Sequence, residues 1–369
     1  MDCENIKKTP LCAIHEKLGG RMVDFGGWYM PVQYTGIVAE HTAVRNHAGI
    51  FDISHMGEFE VSGQKAFDFI QHMVTNDIST MQDGRVLYSP VCNDTGGIVD
   101  DILIYRFNRN QYMLVVNAAN IKKDFSWFNG HLPSNGVTIK DYSDSYVLIA
   151  LQGPAAESIM HKHTAHDLTG LNYYWFIEDS LNGIPVILSR TGYTGEDGFE
   201  IFVPKEFGEK IWHMLTLPGS GGVTPVPVGL GARDSLRLEA SYSLYGHELT
   251  DEITPLEAGL GWTVKIEKKD FIGKQILREQ KNKGLRKTLV CFTMDETGIP
   301  RQGYTVQSHA DRKGWVTSGT FSPTFKKGIG MAYVNAQQLE PGTKLRVMIR
   351  DKEHAATVVK RPFYKRVKS

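Results

Sequence analysis

Two adjacent aspartates stand inside an apolar run, Gly96-Gly97-Ile98-Val99-Asp100-Asp101-Ile102-Leu103-Ile104-Tyr105. Strand alternation places Val99, Asp101, Leu103 and Tyr105 on one face and Ile98, Asp100, Ile102 and Ile104 on the other. The two carboxylates therefore point in opposite directions. With both faces so apolar, at least one is expected in a partly desolvated place. Desolvation raises a carboxyl pKa and costs free energy unless donors or a cation meet the charge. Such a group suits acid or base work, or the anchoring of a cationic ligand. The plainer reading is an Asp that caps a turn at a strand end or pairs with an Arg.

Other residues offer chemistry with a plain reading beside it. Glu200 follows a turn with three glycines in nine residues, Gly192 to Glu200. Such a turn favours a backbone that approaches a ligand; the alternative is a solvent-facing residue of an edge strand. Arg233 and Arg237, four apart near a helix start, form a fork suited to a carboxylate or a planar polar ring, or else pair with Asp234. His55 is either a general base or a hydrogen-bonded structural residue. His161, Lys162, His163 and His166 offer metal ligands, but nothing nearby supplies supporting groups, and a solvated helix end is the simpler reading. Gly229-Leu230-Gly231-Ala232-Arg233-Asp234 matches part of a dinucleotide fingerprint but lacks its third glycine and preceding strand. Aromatics cluster at Tyr173-Tyr174-Trp175-Phe176 and recur at Trp28, Tyr88, Tyr193 and Trp262, as core or as walls for a flat heteroaromatic ligand. The basic tail from Lys360 to Lys368 is either a solvated end or a site for an acidic partner or a polyanionic ligand tail.

Periodicity supplies the elements that position these groups. A meander reads as strands Val86 to Cys92, Ile98 to Phe107 and Tyr112 to Val116, joined by Asn93-Asp94-Thr95-Gly96-Gly97 and Asn108-Arg109-Asn110. Tyr88, Asp101 and Asn117 lie on its adjacent elements. Helical patterns run from Ile37 to His47, after Gly63, from Pro154 to His161 and from near Gly231. A hairpin reads as Pro185 to Ser189 and Phe199 to Val203. A polar, Lys-rich stretch, Lys265 to Lys287, carries a short helix. Five short strands follow: Leu289 to Thr293, Gly314 to Thr320, Gly330 to Val334, Leu345 to Ile349 and Ala355 to Lys360. They predict a small C-terminal β-barrel or sandwich after an α+β body.

Composition narrows the class. The chain has 369 residues, 41% hydrophobic and 22% charged, as in an ordinary globular protein of two or three domains. Lys plus Arg and Asp plus Glu are both 41, which argues against a general nucleic-acid binder. Cys3, Cys12, Cys92 and Cys291 show no metal spacing and read as reduced thiols. Met1 to Lys8 has no apolar signal core, and the apolar runs are too short to span a bilayer, so a cytoplasmic protein is expected.

Taken in order, the motifs resemble one family. They are Asp24-Phe25-Gly26-Gly27-Trp28, Met30-Pro31, Phe51-Asp52-Ile53-Ser54-His55-Met56-Gly57-Glu58, Thr75-Asn76-Asp77 and Gly96-Gly97-Ile98-Val99-Asp100-Asp101. Val115-Val116-Asn117-Ala118-Ala119-Asn120, Leu151-Gln152-Gly153-Pro154 and the run from Arg190 to Glu200 follow. Gly229 to Ala240, Leu244-Tyr245-Gly246-His247 and Ser318-Gly319-Thr320-Phe321-Ser322-Pro323 complete the set. From about Thr9 to the C-terminus the chain resembles the T-protein of the glycine cleavage system, an aminomethyltransferase.

The resemblance implies an α+β fold with a three-lobed, cloverleaf-like arrangement around a central folate site and a C-terminal small β-barrel. It implies a folate-binding core over 8–265, of two interleaved α+β lobes with the second at about 52–140, a polar linker or helix over 266–287, and a barrel over 288–366. The implied reaction moves the one-carbon unit of an aminomethyl group on the lipoyl arm of H-protein to tetrahydrofolate, releasing ammonia. Tetrahydrofolate is then a co-substrate, lipoylated H-protein the partner, and no metal, nucleic acid or membrane is involved. By matching positions Asp101 is the key carboxylate. Tyr88, Asn117, Tyr193, Glu200 and Arg233 contact folate, Met56, Phe176 and Trp262 wall it, and Arg366 is a candidate for its tail. Alternatives are a folate-dependent demethylase on the same fold and a non-catalytic folate-binding relative in iron–sulfur or RNA maintenance. The latter carries a Cys-containing motif not found in this sequence.

Overall fold

The computed structural model describes residues 6–217, 224–308, 312–335 and 339–366. Cys3, most of the N-terminal segment, and Val367 and Lys368 of the basic tail lie outside the described residues. The chain clusters into two compact units, one of residues 1–66, 81–87 and 103–234, the other of residues 67–80, 88–102 and 235–369.

The first unit is built on a six-stranded sheet in the order Phe176–Leu181, Ile184–Ser189, Gly198–Pro204, Tyr146–Gln152, Gly49–Asp52 and Val226–Pro227. All its pairings are antiparallel except the last. Gly198–Pro204 is hydrogen-bonded on both sides and buried along almost its whole length, which its continuous apolar run allows. The edge-strand reading of Glu200 is therefore overturned: Glu200 lies on an interior strand and is only 8% exposed. The helix Gly208–Thr216 lays Ile211, Trp212 and Leu215 on the core formed by Ile149, Leu151, Ile201 and Val203. In the five-stranded sheet, Gln111–Val116, Gly57–Ser62 and Thr138–Asp141 pair in this unit, and Leu103 to Asn108 pairs with Gln111–Val116.

The second unit contains a closed six-stranded barrel of Lys287–Met294, Lys327–Asn335, Arg312–Ser322, Thr305–Ser308, Lys344–Ile349 and Lys352–Val359. Alternating residues such as Val290, Phe292, Val316, Ala332, Val347 and Val358 fill it. Closure removes the open strand edges. Five of the six strands were legible from alternation. Thr305–Ser308 was missed, because four residues with one buried apolar side chain, Val306, give no clear period.

The Lys-rich stretch is not uniformly solvated. It carries the helix Lys274–Lys283, and Lys268 is buried. The Lys268 ammonium donates to the carbonyls of Gln71, Val74 and Asn76 at 2.7, 2.5 and 2.7 Å, at and just beyond the end of the helix Ala66–Met73. A cation there meets carbonyls that the helix leaves unsatisfied. In the basic tail, Arg361 donates to Ser241 O at 2.7 Å and Ala258 O at 3.1 Å, so this residue is anchored rather than free in solvent.

The meander turn sets the start of the aspartate strand. Asn93 Oδ1 accepts from Thr95 N, Thr95 Oγ1 and Gly97 N at 3.0, 2.7 and 3.0 Å. The Ile98 amide donates to Thr250 O and Ile253 O at 3.1 and 3.0 Å. A Cβ on Gly97 would stand 1.7 Å from Asp251 O, so no other residue fits without moving backbone. Gly97→Ala is expected to cost about 2–4 kcal/mol. That would appear as a lower urea midpoint with unchanged m-value; an unchanged midpoint would show that the Asp251 segment yields freely.

Candidate active site

The aspartate pair divides as alternation requires. Asp100 is fully buried, whereas Asp101 is half-buried. The Tyr88 hydroxyl, from the strand Val86–Cys92, donates to Asp101 Oδ2 at 3.0 Å. A donor to the charged form favours the carboxylate and fixes its orientation. The Tyr88 ring stacks on Trp262, centroids 5.9 Å apart and planes 24° from parallel. Trp262 stands in the short helical turn Gly261–Thr263 and is 60% exposed, unusual for the largest aromatic side chain. The second unit thus presents a tyrosine-bound carboxylate beside an exposed indole. Arg366 belongs to the same unit and is half-buried.

In the first unit Glu200 has a different environment. The Thr191 hydroxyl donates to Glu200 Oε2 at 2.5 Å, and Thr191 Oγ1 lies 2.9 Å from Ser189 Oγ. Burial pushes the Glu200 carboxyl above its ordinary value of 4.5, against the opposing effects of Thr191 and Arg233. The Gly-rich turn is held from below: Gln152 Nε2 donates to Thr191 O at 3.0 Å and the Thr194 hydroxyl donates to Gln152 Oε1 at 2.9 Å. The Arg190 guanidinium closes the turn on Asp197, donating to its two carboxylate oxygens at 3.1 and 2.5 Å, and also reaches Glu157 at 2.6 Å. The half-buried Tyr193 ring lies 4.7 Å from the Arg233 guanidinium, a cation–π arrangement.

The two arginines do not form a fork. Arg237 is buried and donates to Glu248 Oε2 at 2.9 Å and Ser318 Oγ at 2.7 Å. Positions four apart share a helix face to within about 40°, so it is their partners that distinguish them: Glu248 and Ser318 for Arg237, the Tyr193 ring for Arg233. His55 is also not poised as a base. It is fully buried, its Nδ1 finds no partner among the described residues, and burial with nearby Arg233 pushes its pKa down to about 4. It is therefore neutral near pH 7. Met56 beside it is half-buried. Asn117 precedes the short helix Ala118–Asn120 and makes no side-chain cap there. Phe176 is a core residue, its ring 5.2 Å from Tyr105 and 4.8 Å from Phe107. In the histidine cluster, His161 lies 3.8 Å from Glu157.

Sequence reasoning missed Thr191 and Gln152 as supports of the turn, and Asp52 as a buried junction. Asp52 accepts from Thr9 Oγ1 at 2.6 Å, Ser54 N at 2.9 Å and Ser54 Oγ at 2.5 Å, and lies 2.8 Å from His15 Nε2. The only sequence signal was an Asp inside the apolar run Gly49-Ile50-Phe51-Asp52-Ile53.

Comparison with known proteins agrees with this architecture. Residues 11–268 match the family profile described as the GCVT N-terminal domain, and residues 287–365 that of the glycine cleavage T-protein C-terminal barrel domain. The chain is 50% identical over 365 residues to an aminomethyltransferase of Desulforamulus reducens, covering 98% of this chain and 99% of that protein. It is 48% identical over 362 residues to one of Desulfitobacterium hafniense, with the same coverage. The crystal structure of the glycine cleavage system aminomethyltransferase T from Bartonella henselae is similar at a TM-score of 0.91 and 34% identity, over 98% of each chain. These matches define a class of transferase in which a mixed α+β body precedes a closed barrel. Within it, the chain belongs to the glycine cleavage T-protein family.

Thr191→Val removes the hydroxyl that favours ionised Glu200. The Glu200 carboxyl pKa is expected to rise further in the variant, followed by carbon-detected NMR of labelled glutamate. A fall or no change would mean that Thr191 does not donate to the ionised group.

Proposed function

We propose that the protein transfers the one-carbon unit of an aminomethyl group on the lipoyl arm of H-protein to tetrahydrofolate. Ammonia leaves, 5,10-methylene-tetrahydrofolate forms and the lipoyl arm is left as a dithiol. The carbon's bonds to sulfur and to ammonia nitrogen break as two bonds to folate nitrogens form, so no external oxidant or reductant is needed. The family supports a transferase of aminomethyl groups. The observation that carries the reading to particular residues is the Tyr88–Asp101 hydrogen bond. It holds a carboxylate in fixed orientation and leaves it half-open, while neighbouring Asp100 is buried entirely.

The residues present fit a reduced pterin. Glu200 is a buried acceptor to which, among the described residues, Thr191 is the hydrogen-bond donor, so it retains capacity for the paired N–H donors of an amino-pyrimidinone edge. Tyr193 and Arg233 offer a stacked planar surface with donors, and Met56 and Asn117 are half-buried. Tetrahydrofolate supplies the nitrogens that take up the carbon. In this reading Asp101 carries the negative charge that orients those nitrogens and favours the positive charge developing on them. Tyr88 keeps Asp101 aimed, and Trp262 packs on the Tyr88 ring. Positioning the two substrates supplies much of the remaining acceleration. Among the described residues no helix is long and apolar enough to cross a membrane.

The test is ammonia release from aminomethyl-loaded H-protein with and without tetrahydrofolate. Strong stimulation together with methylene-tetrahydrofolate formation is expected; folate binding without stimulation would overturn the reading. Asp101→Asn is expected to lower kcat about 100-fold or more while changing folate affinity far less. Equal loss of both would show that Asp101 binds rather than catalyses.

A further inference from the structure

The helix Ile37–Asn46 carries two charged side chains that the site described above does not use. Glu40 is fully buried. Its Oε1 accepts from three successive amides, Tyr34 N at 2.6 Å, Thr35 N at 2.9 Å and Gly36 N at 3.1 Å. Its Oε2 accepts from Gly229 N at 2.9 Å, across 189 residues of chain. These four amide donors engage both carboxylate oxygens and tie two chain segments to one side chain.

Gly229 is the residue before the helix Leu230–Glu239, and its carbonyl accepts from Arg233 N at 3.1 Å. A Cβ on Gly229 would stand 2.5 Å from the Val32 carbonyl carbon, so the chain passes here in backbone contact. Glu40 therefore seats the first turn of the helix that presents Arg233. Five residues beyond Glu40 on the same helix, Arg45 Nη1 donates to Thr194 O and to Glu196 Oε1, each at 2.8 Å. This ion pair is nearly dry, with side chains 6% and 4% exposed. Thr194 is the neighbour of Tyr193, whose ring faces the Arg233 guanidinium. One rigid helix thus fixes by charge both backbones that bring Arg233 and Tyr193 together.

We propose that Glu40 and Arg45 are positioning residues for the Arg233–Tyr193 stack, and through it for recognition of the planar pterin. The second clause rests on the folate reading; the first stands on this unit's geometry alone. A guanidinium over a ring is a contact between two long side chains, and its register depends on where the two backbones are held. Neither Glu40 nor Arg45 touches a reacting atom in this assignment. Their loss should weaken ground-state binding of the pterin and leave the chemical step intact.

The experiment uses the full chain with Glu40→Gln and Arg45→Lys. Glu40→Gln keeps the shape, but its single carbonyl oxygen cannot serve both the three amides of Tyr34 to Gly36 and the Gly229 amide, and its NH2 then meets an N–H. Arg45→Lys keeps the charge but replaces the planar guanidinium, whose Nη1 makes both contacts, by a shorter-reaching ammonium, and provides a milder variant if Glu40→Gln folds poorly. Two readouts are taken: the KM for tetrahydrofolate against kcat, and the Glu200 titration in ligand-free protein. A rise in KM of about tenfold, corresponding to loss of one charge-assisted hydrogen bond, is expected with kcat within about twofold. Displacing the Arg233 guanidinium also removes a charge that favours ionised Glu200, so the Glu200 pKa should rise. In an Arg233→Lys background the effects on KM should largely vanish, since both act through the same side chain. Folded variants with neither readout moved, or fully additive effects, would overturn the proposal. A shifted Glu200 titration in a protein whose wild type ignores tetrahydrofolate would retire the folate reading and leave the positioning role standing.

Discussion

A carboxylate removed from water must be met by donors, hold a proton or wait for a partner, and this protein shows all three outcomes. Asp52 and Glu40 are saturated: the first lies among two hydroxyls, an amide and a histidine nitrogen, the second among four amides. Glu239 is met by the hydroxyls of Ser322 and Thr324 and the Thr324 amide. Glu58 is buried with Oε1 unpartnered among the described residues, and desolvation with nearby Asp141 pushes its carboxyl well above the ordinary value, which favours the neutral form. Glu200 differs from both groups. It is buried beneath one threonine hydroxyl and faces an arginine that favours its charge. A buried ion left short of partners costs on the order of several kcal/mol, and a ligand with paired donors would relieve that cost.

The surrounding structure is largely the means of holding such groups in place. Saturated carboxylates join segments that are remote in sequence, and removing one partner typically costs about 3–5 kcal/mol because the remaining charge stays buried. Arg190 fastens the Gly-rich turn to Asp197 and Glu157. In the second unit Arg237 binds Glu248 within a dry interior, and Lys268 closes a helix end with three carbonyl contacts. Against these fixed supports the Tyr88–Asp101–Trp262 group stands out: its carboxylate is half-open and its indole exposed. Partial exposure beside a rigidly oriented charge is what a residue needs to meet a substrate and still be aimed at it.

Local structure was readable because its causes are local. Alternation gave the strand bearing Asp100 and Asp101 and their opposite facing, turn residues gave the meander, and glycine spacing marked the turn ahead of Glu200. The ordered motifs pointed to the family, which the family profiles and relatives show. Burial was not readable. Only the sheet order made Glu200 interior, only the Glu248 partnership separated Arg237 from Arg233, and only packing made Lys268 a buried cap in a stretch that reads as polar. The same holds for Thr191, whose role depends on a carboxylate across a hairpin. Sequence alone determined which residues lie on which face of each element, because side-chain direction follows from backbone period. Tertiary structure decided which charges are saturated and which are left open, because desolvation and hydrogen-bond partners come from distant segments, as when Gly229 meets Glu40 across 189 residues.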